Sequence, residues 1–369
     1  MVKAVVIGGG GYMGQSLTKA LVNKGYEVTV LDLVLRKFDQ MDLDSSSFRF
    51  VQGSFLDIRI LQPLLEDVEV VFHLAAVGMT GKNRKNRKLI EEVNVDGVSI
   101  LLNECKKFHI KRFIFASSCI CIFTGDTLRD ATEDYPRPKL ENVTSWYGQS
   151  KARAEELISN HASTEFRTAS LRFRGVYGPG ELNITDRVAS YIQSGLLIAR
   201  CQKYDRIVTQ YTSIDNCVHG FLISDETLKN ENGPNGQNYH ILDDEKVGNY
   251  EFWEPLFKVF GRELPLIRVP YLFVFYFLMF YEAFLYKFVD FGEFTSTTEL
   301  NLMALTNTFS TDKAKLELGY KPKPSMMPEV VAYYKSKKLK RPLQISFQKL
   351  STVRVLICFL IILSSYFLI

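Results

Sequence analysis

Very little in these 369 residues points to metals, disulfides or nucleic acid. The six cysteines, at 105, 119, 121, 201, 217 and 358, include no pair at zinc-ligand spacing and no dense framework of the kind that staples small secreted domains. Cys119-Ile120-Cys121 lies in an apolar, strand-like run, which suits buried thiols better than a redox pair. Reduced cysteines in turn fit a cytosolic setting. No metal site is expected. A net charge of +4 is too small to argue for a nucleic-acid partner. The N-terminus also lacks the long apolar core and cleavage site of a secretion signal, because Met1–Gly8 is a short run ending in four glycines. The Asn-x-Thr sequons at Asn142 and Asn183 are therefore read as coincidental. No internal repeat or low-complexity segment is evident.

What is present is an alternation of two patterns. At ~100–200 residues per domain, the length allows one large or two modest domains. Val2–Gly8, Glu27–Asp32, Phe48–Gly53, Val68–Ala76, Lys111–Ser118 and Arg167–Phe173 read as strands, with amphipathic stretches such as Tyr12–Lys24 and Leu89–Phe108 between them. Strand and helix in alternation predict an α/β fold, a doubly wound parallel sheet of Rossmann type. The near-continuous apolar strands suit a sheet covered on both faces. This domain is placed at residues 1–178, with a stretch near 205–220 returning to the sheet. A smaller substrate-binding region follows at 179–330, with Val188–Leu197 and Tyr250–Phe260 as helices.

The turn Gly8-Gly9-Gly10-Gly11-Tyr12-Met13-Gly14 joins the first strand to the first helix. Gly8, Gly11 and Gly14 have the spacing of a dinucleotide-binding fingerprint. A pyrophosphate needs exposed backbone N–H groups, here those around Tyr12 and Met13, and a close approach that a Cβ would block. Asp32 ends the second strand, where a carboxylate accepts hydrogen bonds from the adenosine ribose and repels a 2′-phosphate. NAD is thus expected over NADP, with Arg36 and Lys37 read as a solvated loop. Asp57 is a candidate for the adenine amino group or a helix N-cap. Ala75 and Ala76 offer small side chains against which a cofactor can lie, while His73 is equally a packed strand residue or a contact.

Tyr147-Gly148-Gln149-Ser150-Lys151 puts a phenol and an ammonium on one helical face. A free tyrosine, with a pKa of ~10, is a poor base near neutrality, and a neighbouring cation lowers that value. Tyr147 can then take an alcohol proton while Lys151 holds the nicotinamide ribose. Ser117 and Ser118 end the fifth strand, at the sheet edge where open α/β folds bind ligands.

Together with Asn94-Val95-Asp96-Gly97 and Leu171–Gly180, these motifs resemble the extended short-chain dehydrogenase/reductase superfamily over residues 1–220. Tyr239–Asp244, Phe309–Ala314 and Leu318–Pro322, with the aromatic segment between them, make the chain most similar to the 3β-hydroxysteroid dehydrogenase/isomerase family, sterol-4α-carboxylate 3-dehydrogenases included. The resemblance implies NAD-dependent oxidation of the 3β-hydroxyl of a steroid or sterol to a ketone, with isomerisation or decarboxylation as accompanying chemistry. It implies Ser118 as the catalytic serine beside Tyr147 and Lys151, and Asn94 as a support for the active-site helix. It places Tyr177 and Pro179 at the nicotinamide pocket and Asp215-Asn216 in a loop after the substrate region. The chain departs from the family pattern at Ile7, where threonine is common, and at Cys119–Phe123, where the family is more polar. A nucleotide-sugar epimerase or dehydratase on the same scaffold stays open as an alternative. So does a non-catalytic NAD-binding protein, although such proteins usually lack the Tyr or the Lys.

Two segments suit a lipid setting. Residues 355–369 carry no charge and follow a basic linker at 331–354. As a helix they would be ~22 Å long against a bilayer core of ~30 Å, a near-span once Val353 and Arg354 are added. The basic flank favours a catalytic domain on the cytosolic side. Tyr271–Phe294 holds 12 Phe or Tyr in 24 residues but is interrupted by Glu282, Lys287, Asp290 and Glu293. It is read as an interfacial contact, a wall of an apolar pocket, or both. The expected partners are a sterol-like substrate and membrane lipid at the endoplasmic reticulum, with homodimerisation left open.

Overall fold

Strands that are apolar at every position need cover on both faces, and the chain provides it. A computed structural model, which describes residues 1–38, 46–79, 82–204, 206–284 and 296–337, shows one seven-stranded sheet. Its strands are β1 (Lys3–Ile7), β2 (Glu27–Asp32), β3 (Arg49–Gln52), β4 (Val70–His73), β5 (Arg112–Ser118), β6 (Arg167–Phe173) and β7 (Gln237–His240). They lie in the order β3-β2-β1-β4-β5-β6-β7, and every pairing is parallel. The order reverses at β1, which sits between β2 and β4. Such a reversal opens a crevice at the carboxyl ends of the strands, where this fold type binds ligands.

The period-2 alternation of each strand feeds two cores. Ala4, Val6, Val28, Val30, Val70 and Phe72 meet α1 (Tyr12–Asn23) and α5 (Ile214–Leu228) through Leu17, Leu21, Cys217 and Phe221. Val5, Ile7, Leu31, Val71, Phe113 and Phe115 meet the other layer, formed by α2 (Ile58–Leu65), α3 (Gly97–Lys107) and α4 (Trp146–His161). Each such Leu, Ile or Phe taken out of water contributes ~1.5–3 kcal/mol.

Two local expectations are corrected. The stretch 205–220 does not supply a strand of the main sheet. Thr212–Ser213 forms only a two-residue ladder with Val176–Tyr177, after which Ser213 caps α5 by accepting the Asn216 N–H at 3.3 Å. The strand that returns is β7. Cys119–Ile122, read as strand-like, is a tight 3₁₀ turn, in which the Ser118 hydroxyl accepts the Ile120 N–H at 3.4 Å and replaces a ladder bond.

The second region packs an aromatic core of Tyr177, Tyr211, Phe252, Trp253 and Phe257, with Tyr211 stacked on Phe252 at 4.0 Å. Further along, α6 (Tyr271–Ala283) buries Tyr271 and Leu278 against Leu300 and Ala304 of α7 (Thr297–Ala304). Among the described residues no helix is long and apolar enough to cross a membrane. The expected tail at 355–369, the linker beyond residue 337, and 285–295 of the aromatic segment lie outside the described residues.

Candidate active site

The glycine turn separates into two jobs. Gly8 has φ +83°, and a Cβ there would fall 2.4 Å from the Ala75 nitrogen; one on Gly14 would fall 2.4 Å from the Gly9 Cα. Both glycines are required by contacts within the protein. A Cβ on Gly11, by contrast, would meet, among the described residues, only the Gly8 carbonyl, at 3.9 Å. Gly11 is also the N-cap of α1 and no side chain caps that helix. The first N–H groups of α1, around Tyr12 and Met13, thus open onto a clear space at the positive end of the helix dipole, a cradle that fits a pyrophosphate. The Tyr12 ring leaves this cradle, and its hydroxyl donates to the Pro179 carbonyl at 3.1 Å. Met13 packs beneath the turn.

Asp32 lies beside the cradle at the end of β2. Its carboxylate accepts the Gly10 N–H at 2.9 Å and, more weakly, the Val34 N–H at 3.4 Å. Asp57 caps α2 by accepting the Arg59 N–H and is paired with the Arg59 guanidinium at 2.9 Å, which holds its pKa below the usual carboxylate range. Of the two roles left open for it, the cap is the one visible here. Ala75 follows β4, and its N–H donates to the Ile7 carbonyl at 3.0 Å, which locks the loop against Gly8. His73 is fully buried and stacks on Phe115; burial pushes its pKa down to about 3, so it is a neutral core residue.

Tyr177 is a correction. Its side chain is 0% exposed, and its hydroxyl donates to Asp243 at 2.7 Å and accepts the Met326 N–H at 3.1 Å. No side-chain surface remains to line a nicotinamide pocket. The position after β6 places the backbone near the crevice but turns the ring into the aromatic core. Asp215 and Asn216, expected in a loop, lie instead in the first turn of α5. There the Asn216 side chain ties the helix to Asp243 and to the Lys323 backbone.

Tyr147 and Lys151 share α4, and Lys151 reaches the strand that ends in Ser118, whose hydroxyl donates to the Phe173 carbonyl at 3.3 Å. Ser145 caps α4 by accepting the Gly148 N–H at 3.0 Å, so Tyr147 lies in the first turn and Lys151 one turn later. The Lys151 ammonium donates to the Ala116 carbonyl at 2.7 Å, two residues before Ser118 on β5, and lies 5.7 Å from the Tyr147 ring centre. The half-buried Tyr147 ring packs with Met79 and Leu302 on an apolar cluster that includes Cys119–Phe123. Asn94, in a π-helical turn, donates to Ser150 Oγ at 3.0 Å, and Ser150 donates to the Tyr147 carbonyl at 2.8 Å. Asn94 therefore braces the helix that carries the tyrosine.

The electrostatics differ from the simple expectation. Burial pushes the Tyr147 phenol above its ordinary value and brings the Lys151 ammonium down to about 7. Lysine does not lower the tyrosine here, because its ammonium points to a backbone carbonyl. One participant escaped the sequence reading. Glu155, a further turn along α4, is buried and accepts from Ser117 Oγ at 2.6 Å and from Arg172 at 2.7 and 2.8 Å. Its spacing of four from Lys151 was the available signal.

The profile of the 3-beta hydroxysteroid dehydrogenase/isomerase family matches residues 5–271. The 3beta-hydroxysteroid dehydrogenase/Delta(5)-Delta(4) isomerase 1 of Caenorhabditis elegans is 35% identical over 286 residues, 77% of this chain and 61% of that protein. Short-chain dehydrogenase/reductase family 42E member 1 of Macaca fascicularis is 32% identical over 90% of this chain and 87% of its own length. The decarboxylating sterol-4-alpha-carboxylate 3-dehydrogenase of Mus musculus is 26% identical over 87% of this chain and 86% of its own length. Among solved structures, UDP-glucuronic acid 4-epimerase from Bacillus cereus in complex with NAD superposes with a TM-score of 0.69 at 21% identity, over 92% of this chain and 100% of that one, a likeness of fold.

Proposed function

The chain belongs to the 3-beta hydroxysteroid dehydrogenase/isomerase family, and from that premise we propose that it oxidises the 3β-hydroxyl of a steroid or sterol to a ketone with NAD as hydride acceptor. The observation that carries the reading is Tyr147 and Lys151 on one face of α4, with the Lys151 ammonium on the Ala116 carbonyl of the strand that ends in Ser118 and Tyr147 set among apolar side chains. Gly8, Gly11 and Gly14, with the N–H groups around Tyr12 and Met13, hold the NAD pyrophosphate. Asp32 holds the adenosine ribose, and Ala75 lies against the cofactor. NAD, when bound, supplies the acceptor for the hydride. Ser118 orients the substrate oxygen, Tyr147 takes its proton, and Lys151 holds the ribose. Met79, Leu302 and the 119–123 turn give the reacting alcohol an apolar setting that excludes water, which suits a sterol better than a nucleotide sugar.

The same reading puts the protein at a lipid surface, with 355–369 as an anchor in the endoplasmic reticulum membrane and the catalytic domain facing the cytosol. Supporting it, α6 leaves Leu272, Tyr276, Met279, Phe280 and Phe284 exposed on the side away from α7. Incubating purified protein with NAD and a panel of 3β-hydroxysteroids, a 4-carboxylated sterol and UDP-sugars, while following NADH and the chromatographic conversion of the UDP-sugars, tests the proposal. Steroid-dependent NADH is the expected result. Turnover of UDP-sugars alone would overturn it in favour of an epimerase, and carbon dioxide release from the carboxylated sterol would identify a decarboxylating enzyme.

A further inference from the structure

Behind the catalytic face of α4 lies a buried ionic cluster. Glu155 Oε1 accepts the Ser117 hydroxyl at 2.6 Å and Arg172 Nε at 2.8 Å, while Oε2 accepts Arg172 Nη2 at 2.7 Å. Glu155 and Arg172 are each 1% exposed. Arg137 approaches the same carboxylate from the surface side at 3.6 Å, and the Cys121 thiol touches it at 3.6 Å. Behind Arg172, the buried and neutral His240 lies 3.4 Å from its guanidinium. Three elements are thus joined at one carboxylate: α4, β5 next to Ser118, and β6.

A buried ion pair of this kind contributes little net stability, because desolvation of both charges offsets their attraction. Hydrophobic residues of similar volume would fill the space as well. A cluster with such a cost, one helical turn from Lys151 and one residue from Ser118, fits a role in arranging the site. Residues four apart on a helix are neighbours, so Glu155 stands over the next turn from the Lys151 stem.

We propose that Glu155 is a positioning residue: its carboxylate, braced between Ser117 and Arg172, holds Lys151 as an ammonium against the strand end that carries Ser118. This rests on the dehydrogenase reading for its consequence but not for its geometry. Lys151 is surrounded by the Ala116 carbonyl and Phe115 ring of β5, Tyr147 of its own helix, Cys121 of the following turn and neutral His73 of β4. Glu155, one turn further along α4, is the carboxylate whose charge acts on Lys151, and Arg172 pairs with it on its far side. Burial alone drives Lys151 toward its neutral form, and Glu155 opposes that.

The test is an NMR titration of full-length protein in detergent, labelled with ε-¹³C lysine, with the Lys151 resonance identified by its loss in Lys151→Met. Glu155→Gln keeps the shape and removes the charge, and should move the Lys151 midpoint down by about one pH unit, a tenfold loss of proton affinity. Glu155→Asp, which keeps the charge, should restore most of the shift. An unmoved midpoint in Glu155→Gln overturns the proposal. Ser117→Ala leaves both charges in place and deletes only the 2.6 Å bond. It should lower kcat several-fold, with the Lys151 midpoint and KM for NAD unchanged, and an unchanged kcat would remove the positioning role even if Glu155→Gln does not fold. Wild-type protein that oxidises no alcohol in the panel would refute the function, while the titration would still decide the role of Glu155.

Discussion

Gly11→Ala and Gly14→Ala should fail in opposite ways, and the difference isolates the cofactor cradle from the fold. A Cβ on Gly14 would sit 2.4 Å from the Gly9 Cα and 2.6 Å from the Gly8 carbonyl oxygen, both backbone atoms. Contact distances for such atoms are ~3.5–4 Å, so helix and strand must separate by roughly 1 Å. Overpacking of this kind costs ~1–3 kcal/mol, and the ~1 kcal/mol gained by replacing glycine inside a helix offsets only part of it. A net loss of up to ~2 kcal/mol lowers Tm by up to about 3 °C in a chain of this size. At Gly11 the backbone is extended, with φ −84° and ψ 178°, which alanine adopts freely. Only the small preference for glycine over alanine at an N-cap is lost, a few tenths to ~1 kcal/mol. The new methyl, however, projects into the space that the pyrophosphate needs, and NAD affinity should fall by about tenfold or more, ~1.4 kcal/mol. Thermal unfolding and calorimetric NAD titration of both variants measure the contrast. A Gly11→Ala protein that binds NAD normally would refute the cradle assignment.

Four other outcomes follow from the same geometry. With Asp32 at the ribose position, NAD should bind at least about tenfold more tightly than NADP, and calorimetric titrations showing equal affinity would contradict that placement. Tyr147→Phe keeps the ring and removes the proton carrier, so turnover should drop by ~10²-fold while NAD still binds; near-normal turnover would dismiss Tyr147 as the base. The pKa of Lys151 falls from 10.5 unfolded to about 7 folded, so between those values the unfolded chain holds more protons and stability rises with pH. Urea unfolding at about pH 7 and about pH 8.5 should show a rise of up to ~1.4 kcal/mol per pH unit in wild type that Lys151→Met lacks. Finally, the intact chain should stay with membranes through carbonate extraction, and deletion of 353–369 should weaken attachment; undiminished binding by the truncated form would shift the anchor to the aromatic segment.

Much of the sheet was legible because β1, β4 and β5 are apolar on successive residues, a pattern that two-sided burial explains. The spacing of Tyr147 and Lys151 gave their shared face for the same reason of period. Elsewhere the sequence carries weaker signals. β7 reads Gln-Asn-Tyr-His, with half its positions polar, because an edge strand covered on fewer sides needs less apolar surface. The 205–220 stretch leaves the sheet after a two-residue ladder because Ser213 serves as a helix cap. Tyr177 sits at a motif position that fixes the backbone but not the direction of the ring, and that direction depends on Asp243, which lies 66 residues away. Arg172 within β6 gave no hint of its partner, since an ion pair across sheet and helix leaves no local pattern.

The site holds a tension that its buried charges explain. Apolar surroundings suit a sterol-like alcohol, yet the same surroundings raise the Tyr147 phenol and lower the Lys151 ammonium, each away from the form that proton abstraction needs. Phenolate and ammonium are each costly in such a setting, so whatever favours either must come from fixed charges and dipoles nearby. The Ala116 carbonyl, at 2.7 Å from Lys151, stabilises the cation by a fixed dipole, and the Glu155 carboxylate adds a full charge one turn away. Arg172 neutralises Glu155 on its far side, which lets the carboxylate remain ionised in the interior. The chain Arg172–Glu155–Lys151–Tyr147 therefore alternates in sign from the sheet interior toward the reacting oxygen once the phenol is deprotonated. Breaking any one member leaves its neighbour as an unpaired buried charge, so single substitutions along this chain should be strongly non-additive in turnover.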